Sequence, residues 1–233
     1  PVNGAGFNFW RVTIGASDFT SMDKPYSYYG VENNESTDPN DFSINIDKNK
    51  YILDTINAAK AINPDLELFA SAWTAPGWMK TNNTLYGVLS EDGKTNLNGL
   101  KDGFEDEFAN YYHRFLQAYK TEGIDFHAVT VLNEPGMDVC YPAMSLTVQQ
   151  QKNLIKAMDQ EFAGTTGGLG DFSGTKIWAH DFNFSDWYST DPEGKNYYRI
   201  FTNSEDMNDK DEDVLNAADG IAFHAYAGSI HRL

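Results

Sequence analysis

Residues 127–135 read HAVTVLNEP, an apolar run that leads straight into a polar turn. The first six residues are rich in β-branched side chains, which predicts a buried strand. Asn133 and Glu134 follow at once, and Pro135 then turns the chain away because proline cannot continue a hydrogen-bonded ladder. The sequence therefore predicts a strand that presents an amide and a carboxyl group at its carboxyl end.

Similar apolar runs recur on both sides of this segment, separated by stretches with helical spacing. Strands are predicted at residues 9–14, 66–70, 127–132, 176–179 and 220–225. Helices are predicted at residues 47–62, along an aromatic stripe at 104–119, at 147–162 and at 196–202. Strict alternation of strand and helix indicates parallel strands joined by right-handed crossovers, and short apolar strands suit a parallel sheet covered on both faces.

Polar and aromatic residues gather just past the carboxyl ends of these predicted strands. A (β/α)₈ TIM barrel builds its active site from that rim, so their distribution favours this α/β fold. A doubly wound sheet would carry a phosphate-binding glycine motif after its first strand, whereas both glycine-rich stretches, 4–6 and 167–170, precede a strand. The rim residues are Asp18, Trp73, Asn133, Glu134, Asp181, Asn183, His224 and Tyr226.

The composition narrows the possible partners. The chain has 233 residues, which suits one domain, and a formal net charge of −17. Nucleic-acid binding requires a cationic surface, so we expect no nucleic-acid partner. No apolar run approaches the roughly 20 residues that span a bilayer, so we expect no transmembrane segment. An uncharged sugar suits this negative surface, although acidity that serves solubility explains the charge equally well.

No motif indicates a cofactor or a metal. Cys140 is the single cysteine, which excludes a disulfide framework and a cysteine zinc site, and a buried structural role is expected for it. Residues 206–213 are acidic, but no starting point in this run supplies both the sixth-position Gly and the twelfth-position Glu of an EF-hand loop. We expect a solvated acidic loop there.

A carboxyl group at the end of a buried strand is suited to proton transfer. Partial desolvation at a barrel mouth disfavours the charged form, so such a group can hold a proton near neutral pH as a general acid must. The neighbouring Asn133 can donate a hydrogen bond to a sugar 2-hydroxyl, and this bond strengthens as an oxocarbenium-like transition state forms. Glu134 is therefore the candidate general acid/base.

Four segments resemble, in the same order, family 30 of the glycoside hydrolases, which contains glucosylceramidases, β-1,6-glucanases and some xylanases. They are RVTIGASDF at 11–19, ASAWTAPGWMKTN at 70–82, AVTVLNEP at 128–135 and GIAFHAY at 220–226. The second segment, with its W-x-x-P-x-W-M-K-T-N pattern, is the most specific of the four. The resemblance implies a retaining β-glycosidase on a TIM barrel, of which this chain would supply about strands two to six.

The resemblance also implies residue roles. Glu134 would protonate the leaving oxygen and then deprotonate water. Asp18 would accept hydrogen bonds from hydroxyls of the non-reducing sugar, and Trp73 would offer its indole nitrogen to a hydroxyl or its face to the ring. His224 and Tyr226 would line the pocket near the nucleophile.

These roles have simpler alternatives. Asp18 could cap a turn, Trp73 could be a core residue, and His224 could be a satisfied histidine of an apolar strand. Asp181 and Asn183 lie at the expected strand end but do not align securely with the family.

The retaining mechanism requires a second carboxylate about 5–5.5 Å from the acid/base. In the family this nucleophile comes from the seventh strand, and the residues after Tyr226 read AGSIHRL without an acid. We therefore expect one barrel domain over residues 1–233, incomplete at both ends, with the nucleophile outside this sequence.

The expected substrate is a neutral β-linked glucoside or polysaccharide, of the glucosylceramidase or β-1,6-glucanase kind. An endo-xylanase of the same family and a non-catalytic carbohydrate-binding barrel fragment are the alternatives. Three N-x-S/T sequons, at Asn34, Asn82 and Asn183, permit a secreted or extracytoplasmic protein, and we expect that location.

Overall fold

The computed structural model describes residues 6–20, 24–87, 98–137, 139–164, 169–184, 199–204, 206 and 208–228. In chain order the strands and α-helices are β1 (Phe9–Ile14), β2 (Tyr26–Ser27), β3 (Gly30–Val31), α1 (Asn45–Asn49), α2 (Ile52–Ile62), β4 (Glu67–Ala72), α3 (Glu105–Thr121), β5 (Ala128–Thr130), α4 (Val148–Ala163), β6 (Lys176–Asn183), α5 (Glu212–Ala217) and β7 (Gly220–His224).

Five of these strands form one parallel sheet in the order β1-β4-β5-β6-β7, so sequence neighbours are also spatial neighbours. Arg11 of β1 lies opposite Phe69 of β4, and Val129 of β5 lies opposite Ile177 of β6. The short strands β2 and β3 form a separate antiparallel pair. This order confirms the predicted parallel sheet, and it brings the carboxyl ends of all five strands to one edge.

One helical prediction needed correction. The helix predicted over 47–62 is two helices, because Tyr51 adopts a left-handed conformation with φ of 61° between α1 and α2. Of the helix predicted at 196–202, residues 196–198 lie outside the described residues. Helix α5 was not predicted; it has six residues, and the side chain of Asp211 caps its first turn by accepting from the Val214 amide.

Helix α3 supplies the rings at the centre of the core. Because five of its aromatic side chains are at most 1% exposed, and burying each contributes about 1.5–3 kcal/mol, the predicted stripe is a main source of stability. Helix α4 packs beside α3 and begins at a capping box formed by Thr147 and Gln150. The buried rings of α3 are Phe108, Tyr111, Tyr112, Phe115 and Tyr119.

The predicted burial of Cys140 is wrong. Its side chain is exposed in the loop between β5 and α4, because the chain at this point runs over the rim and not through the core.

Among the described residues, no helix has both the length and the apolarity needed to cross a membrane.

Candidate active site

The candidate site lies where β5, β6 and β7 end at the carboxyl edge of the sheet. Glu134 leaves β5 while its backbone remains tied to the neighbouring strand, since its amide donates to the Asp181 carbonyl at 3.0 Å. The amide of Asn133 donates to the Ala72 carbonyl of β4 at 2.8 Å. The acid and its neighbouring amide are therefore fixed by both adjacent strands.

The backbone of this region is strained at three positions. Glu134 has φ of 48°, and His180 and Asp181 have φ of 72° and 50°. Left-handed conformations of residues with a Cβ cost of order 1 kcal/mol or more and persist only where the surroundings hold them. Such positions concentrate at functional sites, and these three converge on one edge of the sheet.

A bulge in β6 orients Asp181. The pairing of β6 with β7 shifts register between His180 and Phe182, so Asp181 is skipped in the backbone register between the two strands. Bulges redirect a side chain because they interrupt the alternation of the strand. The predicted strand ended at residue 179, whereas β6 continues through the bulge to Asn183.

Asp181 of β6 joins β1, β5 and β7 into one hydrogen-bonded network. Its Oδ2 accepts from Arg11 Nη2 at 2.5 Å and lies 2.6 Å from Thr130 Oγ1. Its Oδ1 lies 3.0 Å from Nε2 of His224, whose Nδ1 is 3.1 Å from Glu134 Oε1. One imidazole thus bridges the candidate acid/base and a carboxylate that is only 3% exposed.

The charges of this network stabilise each other. Burial alone would lower the pKa of His224, but its hydrogen bonds to Asp181 and Glu134 and the Asp181 charge raise it to about 9. Burial would raise the pKa of Asp181, but the hydrogen bond to His224, the Arg11 charge and the Thr130 bond hold it below its usual range. At neutral pH His224 is therefore an imidazolium and Asp181 a carboxylate.

Arg11 connects this network to two more of the predicted residues. Its Nη2 donates to Asn133 Oδ1 at 2.9 Å and its Nε to Ser71 Oγ at 3.0 Å. Its guanidinium also lies 4.6 Å from the ring centroid of Trp73, in cation–π geometry. Trp73 is 8% exposed, so much of its surface packs inside the protein.

The outer rim holds the remaining predicted residues. Asp18 is exposed in a turn after β1. Tyr226 is 81% exposed and meets the His224 ring edge-on at 5.7 Å. Asn183 is buried and accepts from the Tyr226 and Ala227 amides, which ties the loop after β7 to the end of β6.

Besides Ser71 and Thr130 of the network, two residues of the site were not assigned from sequence. Tyr141 lies near the mouth: burial, and then the negative charges of Glu134 and Asp18, raise the pKa of its phenol to about 12. Arg11 is the second, and a cation inside the otherwise apolar strand FWRVTI was the signal that could have found it.

The structure brings most of the predicted site together. Glu134, Asn133, Trp73 and His224 connect through Arg11 and Asp181, whereas Asp18 lies apart on the rim. Within the described ranges, no group of three or more His, Cys, Asp and Glu side chains is placed to hold a metal. The arrangement places the carboxyl group of Glu134 at an open edge, where a proton could pass between it and a bound molecule.

Comparisons with known proteins agree with this arrangement. The family model described as the glycosyl hydrolase family 30 TIM-barrel domain matches residues 2–166. The endo-1,6-beta-D-glucanase BGN16.3 of Trichoderma harzianum is 35% identical over 190 residues, covering 77% of this chain and 36% of its own length. The lysosomal acid glucosylceramidase of Mus musculus is 34% identical over 158 residues, covering 66% of this chain and 29% of its own length.

A solved structure extends the similarity through the whole chain. The endo-beta1,6-glucanase BT3312 superposes with a TM-score of 0.74 at 28% identity, covering 98% of this chain and 46% of that one. The family description and this superposition confirm the barrel predicted from the strand order. The chain spans about a third of the length of the curated relatives named above.

Proposed function

The chain belongs to glycosyl hydrolase family 30, and from that membership we propose that it provides the acid/base side of a retaining β-glycosidase active site. The observation that carries the proposal is the position of Glu134 at the carboxyl edge of the sheet, 14% exposed and hydrogen-bonded to His224. Asn133 lies beside it, and Arg11 holds the amide oxygen of Asn133. The Asn133 amide nitrogen is thereby left to donate to a sugar hydroxyl.

The proposed reaction has two steps. Glu134 first gives its proton to the glycosidic oxygen while a second carboxylate, outside the described residues, attacks the anomeric carbon and forms a glycosyl-enzyme. Glu134 then takes a proton from water, which attacks the same carbon and releases the sugar. Asp181 is not suited to be the nucleophile, because its two oxygens are occupied by Arg11, Thr130 and His224.

We further propose a neutral β-linked glucoside as the substrate, with β-1,6-linked glucan first and a glucosylceramide second. The names of the two curated relatives support this order, and the net charge of −17 disfavours an acidic polymer. Asp18, Trp73, His224 and Tyr226 would bind the sugar. Secretion is also proposed, since an extracellular glucan would have to be met outside the cell.

Replacement of Glu134 by Gln in the full-length protein tests the acid/base role. Cleavage of β-1,6-glucan should fall by about 10³-fold, because its leaving alcohol needs a proton. With 2,4-dinitrophenyl β-glucoside, whose leaving group needs none, kcat/KM should change little. Azide should then accelerate turnover and give β-glucosyl azide, since it attacks the glycosyl-enzyme without a general base.

Glu122→Gln is the matched control, because Glu122 is a surface glutamate that pairs with Lys48, and it should behave as the parent. Undiminished glucan cleavage by the Glu134 variant would show that the acid/base is another residue. A parent protein that binds glucan and cleaves neither glucan nor the aryl glucoside would be a carbohydrate-binding protein. Cleavage of xylan but not of β-1,6-glucan would identify the xylanase alternative.

A further inference from the structure

Asp181 lies at the centre of the network but is too deeply buried to meet a substrate. Its side chain is 3% exposed, and it contacts Arg11 and His224, the residues that contact Asn133 and Glu134. We propose that Asp181 is a positioning residue for proton transfer: it fixes His224 against Glu134 and Arg11 against Asn133. This proposal rests on the proposed function, since it assigns Asp181 a role only if Glu134 is the acid/base.

The first argument is geometric. An imidazole ring can present only two nitrogens, and in His224 one meets Glu134 at 3.1 Å while the other meets Asp181 at 3.0 Å. The bond to Asp181 therefore fixes the rotation of the ring that faces Glu134. Asp181 is itself held by the β6 bulge and by Thr130, so the ring is oriented from the rigid sheet and not from the rim.

The second argument concerns charge. When Glu134 is a carboxylate, both partners of His224 are acceptors, so both ring nitrogens must donate and the ring must be an imidazolium. Asp181 supplies the permanent negative charge that keeps this proton in place when Glu134 takes up its own. The ring can thus face both forms of Glu134 through the reaction cycle without rotating.

The other titratable groups that face the cluster do not replace Asp181. Burial lowers the pKa of His180 and raises the pKa values of Tyr112 and Tyr141, so all three are neutral near pH 7. Among the described residues, Asp18, Cys140 and Tyr226 are further titratable groups at the mouth, and all three are exposed. The buried charges that act on His224 therefore come from Arg11, Asp181 and Glu134.

A second arm runs through Arg11. Its Nη2 donates to Asp181 at 2.5 Å and to Asn133 at 2.9 Å. Because Asp181 fixes the guanidinium, it also fixes the side-chain amide of Asn133, which lies beside Glu134. The cation–π contact with Trp73 covers the face of the same guanidinium. Asp181 thus orients, through Arg11 and His224, two groups that would meet the sugar, Asn133 and Glu134.

The test compares Asp181→Asn with Asp211→Asn in the full-length protein. Asp211 is a matched control because it is also an ion-paired aspartate with a mostly buried side chain: it pairs with Lys152 at 3.1 Å and is 12% exposed. It is the N-cap residue of α5 and contacts none of the described residues of the candidate site. Asp181→Asn should lower kcat/KM for β-1,6-glucan by about 30-fold, the size expected when an orienting partner is lost. For 2,4-dinitrophenyl β-glucoside the loss should stay at about 3-fold, because that substrate needs no acid and Arg11 can still donate to Asn133 in the variant.

Histidine NMR supplies the second readout. In the parent the His224 ring should titrate with a pKa of about 9, and in Asp181→Asn it should titrate at least one pH unit lower. Asp211→Asn should show neither this shift nor the dependence on leaving group. A purely structural aspartate would instead lower activity on both substrates by the same factor, and that result would overturn the proposal.

Thr130→Val decides the case if Asp181→Asn does not fold. Valine keeps the shape of threonine but removes the hydroxyl 2.6 Å from Asp181, so the same selective loss should appear at about 3- to 10-fold. An unchanged ratio between the two substrates, with unchanged His224 titration, would overturn the proposal. Glu134→Gln distinguishes failure of this inference from failure of the proposed function. If Glu134→Gln shows the leaving-group dependence and the Asp181 and Thr130 variants do not, the acid/base assignment stands and only the positioning role of Asp181 fails.

Discussion

Two aspartates are buried in the part of the chain that the structure describes, and they are held in opposite ways. Asp47 of α1 is fully buried and accepts three hydrogen bonds from the hydroxyls of Tyr26, Tyr28 and Tyr119, at 2.6–2.8 Å. Asp181 is equally deep but is held by Arg11, His224 and Thr130, so two of its three partners are cationic. Both carboxylates are fully hydrogen-bonded, and only one lies in the candidate active site.

The pKa values of the two groups move in opposite directions. Burial raises the pKa of Asp47, and the hydroxyl hydrogen bonds from the three tyrosines do not offset it. Burial acts on Asp181 as well, but His224, Arg11 and Thr130 together lower its pKa. Neutral donors thus satisfy the hydrogen-bonding capacity of a buried carboxylate but do not fully offset the cost of burying its charge. Neighbouring cations do offset that cost.

Replacing Arg11 should remove this difference, with the largest effect among the changes that test the comparison. Arg11→Met leaves Asp181 with one cationic partner and takes the donor from Asn133. Loss of one partner of a buried pair should lower the free energy of unfolding by about 3 kcal/mol. We expect kcat/KM for β-1,6-glucan to fall by about 10²-fold, since Asn133 also loses its support. Denaturant unfolding and steady-state kinetics measure the two quantities.

Arg114→Met is the control, because Arg114 of α3 donates to Asn110 at 2.7 Å outside the site. It should lose less than about 1 kcal/mol, the value of an ordinary hydrogen bond. Equal losses in the two variants would mean that the charge of Arg11 is not what distinguishes the two aspartates.

Asp47→Asn tests the aspartate that is held by neutral donors. The amide places a donor group against three hydroxyl donors, so the free energy of unfolding should fall by about 2 kcal/mol at pH 4. Activity of the folded protein should not change, because Asp47 contacts tyrosines of the core and no residue of the candidate site. Asp54→Asn, at an exposed position of α2, is the matched control and should be neutral.

The stabilities of the Asp47 and Asp181 variants should depend on pH in different ways. An acid with a raised folded-state pKa contributes stability below its usual value near 4 and loses it as the pH rises, so the deficit of Asp47→Asn should shrink from about pH 4 to 7. An acid with a lowered pKa contributes above that value and loses its contribution as the pH falls. The deficit of Asp181→Asn should therefore stay nearly constant from about pH 4 to 7 and shrink only as the pH falls below 4. Parallel slopes for the two variants would contradict the assigned directions.

Much of the fold was predictable because its signals are local. Each strand of the parallel sheet shows as an apolar run, and the capping box at Thr147 marks the start of α4. The break at Tyr51 was missed because helical spacing continues through it, and only the left-handed backbone separates α1 from α2. Asp47 could not be placed either, since its partners come from β2, the adjoining turn and α3, up to 72 residues away.

The site was predictable in part for the same reason. Glu134 and His224 follow apolar runs directly, so strand order alone brings them to one edge. The bulge that directs Asp181 depends on how β6 pairs with β7, and a single sequence does not encode that register visibly. Arg11 binds Asp181 across 170 residues, so its role became visible only when the strands were side by side.

The smallest expected effect tests whether the tyrosine hydroxyls stabilise Asp47 at all. Tyr119→Phe removes one donor without opening a cavity, and should lower the free energy of unfolding by about 1 kcal/mol. The loss should grow as the pH rises above about 4, because a carboxylate depends more on the donor as it becomes charged. Tyr51→Phe is the control, since that ring is 69% exposed, and denaturant unfolding should detect no change. If Tyr119→Phe were also neutral throughout this pH range, the raised pKa of Asp47 would be the consequence of burial alone, and the contrast with Asp181 would rest entirely on its cations.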